Sequence, residues 1–275
     1  MPFNIMKLVV SSPASTMSSS QIVLVTGANQ GLGFSIIKIA GQRESPNNTY
    51  ILCCRSLETG QKAVQELKAQ GGKANVDLLQ LDVTNDEQIT AAVKYVESTY
   101  GRLDVLINNA GTLIMPPKEG LSAIRQAHND LMNLHISSVA VVTIAFTDLL
   151  YKSPDPKVIN ISSGLGSMSN SLTTKMGRHP PYGASKIGMN GLTVHMQVAE
   201  NDRIHAAGES ETNPRIRYYN VAPGPLKTAF NGFRGPKLPD DGAEVIVRLL
   251  ADEEKTYPGG TFWEFEEGVM RQVPW

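Results

Sequence analysis

The stretch QIVLVTGANQGLG, residues 21–33, places a run of apolar and β-branched residues directly before a glycine-rich turn. The run is typical of a buried strand, and Gly27, Gly31 and Gly33 let the backbone turn sharply into a helix. Backbone N–H groups at the start of such a helix can bind a phosphate group. The spacing G-x-x-x-G-x-G differs from the commoner G-x-G-x-x-G fingerprint, and glycines also serve ordinary tight turns. Because this turn follows the first strand directly, we interpret it as a nucleotide-binding turn.

Apolar runs alternate with helical patterns along the rest of the chain. The segments GQKAVQELKAQGG (residues 60–72) and NDEQITAAVKYVESTYG (residues 85–101) repeat apolar residues every three or four positions. Strands that alternate with helices indicate a parallel sheet buried on both faces. We therefore predict a single-domain, doubly wound α/β fold of the Rossmann type, with about seven strands and helices on both faces. The later strand runs are TYILCC, VDLLQL, LDVLIN, KVINIS and RIRYYNV.

The composition of the 275 residues limits both the number of domains and the partners. A hydrophobic content of 41% suffices for one large core, and a formal net charge of −1 favours neither nucleic acid nor a membrane as partner. Cys53 and Cys54 are adjacent in a predicted strand and would point to opposite faces, which disfavours a disulfide and favours a reducing, cytoplasmic location. No His/Cys cluster has the spacing of a metal site. We divide the chain into a disordered Ser-rich extension, residues 1–20, and one domain, residues 21–275.

Polar residues follow the second and third predicted strands, at the edge where doubly wound sheets bind ligands. Arg55 ends the second strand, where an acidic residue would accept the ribose 2′-hydroxyl of NAD and an arginine accommodates the 2′-phosphate of NADP(H). Arg55 therefore favours NADP(H), and the alternative is a solvated arginine at a strand end. Asp82 can accept from an adenine amino group while Val83 packs on the ring. Asp82 can equally belong to the start of the next helix.

Small and polar residues follow the fourth and fifth strands. The segment NNAG, residues 108–111, would let a ribose lie close to the backbone. Ser163 offers a hydroxyl at the mouth of the sheet. Serines at strand ends also cap turns, so Ser163 carries little weight by itself.

The stretch HPPYGASKIGMNG, residues 179–191, contains a tyrosine four residues before a lysine. Two prolines suit the first turn of a helix, so we predict a helix that starts near Tyr182. Tyr182 and Lys186 then share one helical face, and a lysine held there would stabilise the phenolate and lower the pKa of the tyrosine. Tyr-x-x-x-Lys also arises by chance. Spacing alone therefore leaves Tyr182 as either a reagent or a core residue.

Five motifs together resemble the classical short-chain dehydrogenase/reductase family in order and spacing. They are TGxxxGxG, NNAG, a strand-end serine, YxxxK and NVAPGPLKT (residues 220–228). The resemblance runs from about Gln21 to the C-terminus, and its last part is most similar to the carbonyl-reductase-like branch. It implies NADPH-dependent reduction of a ketone or aldehyde to an alcohol by hydride transfer. NADP-dependent alcohol oxidation and a non-catalytic, redox-sensing NADP-binding regulator are the alternatives.

The resemblance also implies a role for individual residues. Tyr182 would be the general acid, Lys186 would hold the nicotinamide ribose, and Ser163 would hydrogen-bond the substrate oxygen. Asn133, in LMNLHISS, matches the family's helix asparagine, which supports a water relay to the lysine; the alternative is a polar residue at a helix bend. The implied cofactor-binding residues, besides Tyr182 and Lys186, are Gly27, Asn29, Gln30, Gly31, Leu32, Gly33, Arg55, Asp82, Val83, Asn109, Ala110, Gly111, Pro223, Gly224 and Thr228.

Two stretches depart from the family pattern. The stretch SMSNSLTTKMGRHP, residues 167–180, is longer than in many members, and such insertions obstruct the usual oligomer face, which favours a monomer. It contains Lys175, Arg178 and His179, and His179 either contacts substrate or is a solvated loop residue. After the PG motif, AFNGFRGPKLP (residues 229–239) is short. It predicts a relatively open pocket for planar or bulky ketones.

Overall fold

The fold is a single eight-stranded sheet in the computed structural model, which describes residues 20–72, 74–174, 179–208 and 214–275. The strand order is β3-β2-β1-β4-β5-β6-β7-β8, and β1 to β7 are parallel. This confirms the predicted doubly wound α/β fold. The strands are β1 (Ile22–Val25), β2 (Thr49–Cys54), β3 (Asn75–Gln80), β4 (Val105–Asn108), β5 (Lys157–Ile161), β6 (Arg217–Ala222), β7 (Thr261–Glu266) and β8 (Val269–Gln272).

The strand β8 corrects the predicted count of about seven. It pairs antiparallel with β7 through a two-residue turn, Glu267 and Gly268, which both have positive φ, 54° and 80°. Positive φ at both central residues is typical of the tight turn that joins two antiparallel strands. The residues of β8 are mostly exposed, so no apolar run marks this edge strand in the sequence.

Helices cover both faces of the sheet, as predicted. One core cluster joins α1, α2 and α8 to Val23 and Val25 of β1, and the other joins α3 and α5 to Ile22 and Leu24. Cys54 belongs to the first cluster and Cys53 to the second; both are buried free thiols. The helices are α1 (Gly31–Arg43), α2 (Leu57–Ala69), α3 (Asp86–Tyr100), α4 (Leu121–Met132), α5 (Ser138–Leu150), α6 (Met168–Thr173), α7 (Pro180–Ala206) and α8 (Pro239–Leu250).

Local sequence signals set several of these helix ends. Ser56 accepts from the Thr59 amide at the start of α2, and Asn85 accepts from the Gln88 amide at the start of α3. The helix α7 begins at Pro180, two residues before Tyr182, because proline suits the first helical turn. Because β1, β4, β5 and β6 run parallel, the residues that follow them lie at one edge of the sheet.

A π-helical turn, Asn133–Ser137, joins α4 and α5 into one helical run, Leu121–Leu150. The run is long and apolar enough to span a membrane by length and composition, a test that the core helix of a globular protein also passes. Val142, Phe146 and Leu150 of α5 are buried in the core cluster beside β1. Packing against the sheet therefore accounts for the apolar face of α5.

Candidate active site

The glycine-rich turn between β1 and α1 has the shape that a phosphate-binding turn requires. Gly27 and Gly31 have φ of +63° and +59°, a conformation that favours glycine. A Cβ at Gly33 would lie 2.6 Å from the Asn109 amide nitrogen and 2.8 Å from Ala28 Cα. Within the described residues, no side chain hydrogen-bonds the N-terminus of α1. Its free N–H groups and the close backbone approach fit the pyrophosphate of a dinucleotide.

The segment after β4 is hydrogen-bonded to this turn. The side-chain amide of Asn109 donates to the Thr26 carbonyl at 2.7 Å and to the Gly27 carbonyl at 3.0 Å. In return, Thr26 Oγ1 accepts from the backbone amides of Asn109 and Ala110, both at 3.0 Å. Thr26 is buried and lies one residue before Gly27, the first of the predicted cofactor-binding residues. The two cofactor-binding segments of the sequence therefore form one hydrogen-bonded unit.

Arg55, Asp82 and Val83 lie at the same edge, after β2 and β3. The Arg55 side chain is exposed, and among the described residues no carboxylate pairs with it. Asp82 Oδ1 accepts from the backbone amide and the hydroxyl of Thr84, at 3.0 and 2.7 Å. One carboxylate oxygen of Asp82 thus closes a local turn three residues before Asn85, the N-cap of α3. Val83 is buried.

Tyr182, Lys186 and Ser163 meet where β5 ends and α7 begins. Ser163 Oγ accepts from the Leu165 amide at 3.2 Å, and the Ser163 hydroxyl is near enough to the Tyr182 phenol to affect its pKa. Ser163 is therefore a turn cap that lies beside the tyrosine. Lys186 Nζ donates to the Ile161 carbonyl at 2.7 Å and lies 5.7 Å from the centre of the Tyr182 ring.

The protonation of this pair differs from the sequence prediction. Burial raises the pKa of the Tyr182 phenol, and the nearby Ser163 hydroxyl opposes that rise. Burial lowers the pKa of Lys186 to about 7. The lowering of the tyrosine pKa that we expected from the lysine is absent here, because the ammonium is directed at Ile161 and burial dominates. Tyr182 is therefore a protonated donor at neutral pH.

Asn133, for which the resemblance implies a water relay to the lysine, is exposed at the start of the π-helical turn. His135, two residues later, is fully buried, and its ring meets the edge of Tyr182 at 5.6 Å between centroids. Residues two apart on a helix do not share a face, so only one of the two can point towards α7. The periodicity of the apolar residues could have indicated that His135 is buried, because Leu131, His135, Val139 and Val142 lie on one face of the helical run.

The loop after β6 closes the other side of the site. Pro223 is buried, Gly224 has φ of +87°, and a Cβ at Gly31 would lie 3.5 Å from Thr228 Cγ2. Thr228 therefore faces the glycine-rich turn across the site. Phe230 follows in a short 3₁₀ turn, and its ring lies 5.7 Å from that of Tyr182.

The stretch before Tyr182 is described in part. It forms the helix α6, whose Ser169 amide donates to the Trp275 carbonyl at 3.1 Å. His179 is partly exposed and directly precedes α7. Lys175 and Arg178 lie outside the described residues.

A doubly wound sheet with a phosphate-binding turn beside a buried tyrosine and lysine defines a dinucleotide-dependent enzyme. The family model described as short chain dehydrogenase matches residues 21–238, and the chain belongs to the short-chain dehydrogenase/reductase family. A short-chain dehydrogenase/reductase of Aspergillus fumigatus is 58% identical over 261 residues, which cover 94% of this chain and 98% of that protein. Carbonyl reductase [NADPH] 1 of Sus scrofa is 28% identical over 94% of this chain and 96% of its own length.

The fold also matches solved structures. NADPH-bound carbonyl reductase from chicken fatty liver superimposes with a TM-score of 0.74 at 23% identity, over 93% of this chain and 99% of that chain. Family and fold agree with the geometry of the site. The protein is an oxidoreductase that binds a nicotinamide cofactor and acts on carbonyl or alcohol groups of small molecules.

Proposed function

We propose that the protein reduces a ketone or aldehyde to an alcohol with NADPH, and that Tyr182 is the general acid. The observation that carries the proposal is the burial of the Tyr182 phenol and the Lys186 side chain together on one face of α7, with Ser163 beside them at the end of β5. The raised pKa of Tyr182 keeps the phenol protonated at neutral pH, which suits donation to a carbonyl oxygen.

The residues of the site have separate tasks in this reaction. The nicotinamide supplies the hydride to the carbonyl carbon when it is bound. Tyr182 gives its proton to the carbonyl oxygen, so the C=O group becomes CH–OH. Ser163 donates a hydrogen bond to the same oxygen and stabilises its developing negative charge. Lys186 lies one helical turn from Tyr182 and would bind the ribose hydroxyls beside the nicotinamide.

Three observations support NADPH over NADH. Arg55 directly follows β2 and has an exposed side chain that can meet a 2′-phosphate with paired hydrogen bonds. The residue that directly follows β2 is therefore a cation, where sites for NAD carry an acid. The pig relative is named for NADPH, and the chicken structure contains it.

Two further expectations belong to the proposal. We expect a monomer, because the stretch before Tyr182 includes the extra helix α6. We also expect a cytoplasmic location, because Cys53 and Cys54 are free thiols. Phe230, beside Tyr182, would form one wall of the substrate pocket.

Tyr182→Phe tests the function, since it keeps the ring and removes the proton donor. We expect kcat to fall by about 10²- to 10⁴-fold while the Kd for NADPH stays nearly unchanged. Turnover is followed by NADPH absorbance with a panel of quinones and aryl ketones. Tyr257→Phe is the matched control, because Tyr257 precedes β7 and its ring packs on Trp263, away from the site. Wild-type turnover in Tyr182→Phe would remove the tyrosine from the mechanism.

A further inference from the structure

The side chain of His135 lies between the two halves of the site. It is fully buried in the π-helical turn, and its Nδ1 lies 2.8 Å from Ser185 Oγ on α7. Its Nε2 accepts from the Thr112 backbone amide, after β4, at 3.3 Å. The imidazole therefore bridges the segment after β4 and the helical turn that carries Tyr182 and Lys186.

The hydrogen bonds around Ser185 fix the tautomer of this imidazole. Ser185 Oγ donates to the Tyr182 carbonyl at 2.7 Å, and a hydroxyl has only one hydrogen. Ser185 must therefore accept from His135, so Nδ1 carries the proton. Nε2 is then unprotonated, as its bond from the Thr112 amide requires. Both assignments agree, and both ring nitrogens are engaged.

The imidazole is also neutral and tightly packed. Burial, with a smaller effect from the Lys186 charge, lowers the pKa of His135 to about 2. A Cβ at Gly111 would lie 3.2 Å from Nε2, and one at Gly188 would lie 2.3 Å from Ile136 Cδ1. The π-helical turn thus lies against both the NNAG segment and α7, with little free space around the ring.

We propose that His135 is a positioning residue, which holds the first turn of α7 and thereby the Tyr182 phenol in register with the cofactor-binding edge. The chain of hydrogen bonds runs from the Thr112 amide through the imidazole and Ser185 to the Tyr182 carbonyl. Among the described residues the imidazole makes no hydrogen bond to the Tyr182 phenol, and Ser185 bonds the Tyr182 carbonyl instead, so the geometry supports a positioning role and not a proton relay. The inference rests on the proposed function for its kinetic consequence but not for its structural one.

The structural part is tested on the wild-type protein by ¹⁵N NMR of its histidines between pH 5.5 and 9. The His135 signals, assigned by their loss in His135→Phe, should show a protonated Nδ1, an unprotonated Nε2 and no titration. Ser185→Ala should move the Nδ1 signal, because it removes the acceptor. Titration in this range, or a proton on Nε2, would overturn the assignment. Neither measurement depends on turnover, so the structural assignment of His135 can be tested even if Tyr182→Phe proves active.

The kinetic part compares Ser185→Ala and His135→Phe with His195→Phe, an exposed histidine on the same helix. We expect both site variants to lower kcat by about 10- to 100-fold, since a displacement near 1 Å can cost that much. The Kd for NADPH should change less than kcat does, and the shape of the pH profile should not change. His135→Asn retains a donor for Ser185 and should recover part of the loss. Unchanged kcat in Ser185→Ala and His135→Phe, or a shifted pH profile, would overturn the positioning role.

Discussion

Replacing Gly33 by alanine should destabilise the protein and weaken cofactor binding together. The added methyl group would lie 2.6 Å from the Asn109 amide nitrogen, and 2.8 Å from both Ala28 Cα and the Gly27 carbonyl oxygen. The Asn109 side chain can rotate away, but the other two atoms belong to the backbone of the phosphate-binding turn. The turn itself must therefore move.

The expected magnitude follows from these contacts. Inserting a methyl group into close-packed surroundings costs about 1–3 kcal/mol. Rotation of Asn109 also gives up its bonds to the Thr26 and Gly27 carbonyls, each worth about 0.5–1.5 kcal/mol. The two costs do not add in full, because rotation of Asn109 removes part of the steric clash. We therefore expect a loss of about 2 kcal/mol in the free energy of unfolding. A shifted turn also misdirects the N–H groups that would bind the pyrophosphate.

Urea denaturation measures the first effect, and titration of NADPH fluorescence measures the second. Gly191→Ala is the matched control, because Gly191 is exposed within α7 and a Cβ there meets no atom within 4 Å. Alanine at such a helical position should stabilise the protein by about 0.5–1 kcal/mol. If Gly33→Ala unfolds at the wild-type urea concentration and binds NADPH normally, the close approach at this turn is not a requirement.

Two further predictions concern charge. Arg55→Asp should lower kcat/KM for NADPH at least about 100-fold, or about 2.7 kcal/mol, mostly through a higher KM. Steady-state kinetics at low salt with NADPH and NADH would measure the change, and a retained preference for NADPH would refute the prediction. Lys186→Met tests the lowered pKa of Lys186: the unfolded chain keeps this proton to about pH 10.5 and the folded protein releases it near pH 7. The unfolded state thus binds more protons between these values, so the stability of wild type relative to the variant should rise with pH there, by at most about 1.4 kcal/mol per unit. Urea unfolding from pH 6 to 9 measures this difference, and a flat difference would contradict the shift.

The central sheet was predictable because its strands follow strong local rules. Buried parallel strands read as continuous apolar runs, and a glycine turn or a polar cap follows several of them. The edge strand β8 lacks that signal, since its residues Val269–Gln272 gain order by pairing with β7 and bury little. Its only mark in the sequence is the pair Glu267 and Gly268.

The reactive residues were predictable only in part, because sequence spacing does not state which face of a helix is buried. Tyr182 and Lys186 are four apart and fall on one face whatever the packing. Asn133 and His135 are two apart, and the choice between them depends on how α4 and α5 lie against α7. The periodicity of the buried residues places His135, and not Asn133, on the buried face. Burial also determines the direction of the pKa shift of Tyr182. The sequence distance between Tyr182 and a lysine does not predict that burial.

The segment after β4 connects the two functions of the site. Asn109 holds the phosphate-binding turn through its side chain, while the Thr112 amide reaches the catalytic helix through His135. Asn108, at the end of β4, donates to Asn160 of β5 at 2.8 Å. This hydrogen bond fixes the position of the segment along β5, the strand that leads to Ser163. The NNAG motif and Thr112 thus connect the glycine-rich turn to the helix that carries Tyr182. An amide-rich NNAG is suited to this task because each side-chain amide can donate across to a neighbouring segment while the small residues keep the backbone accessible.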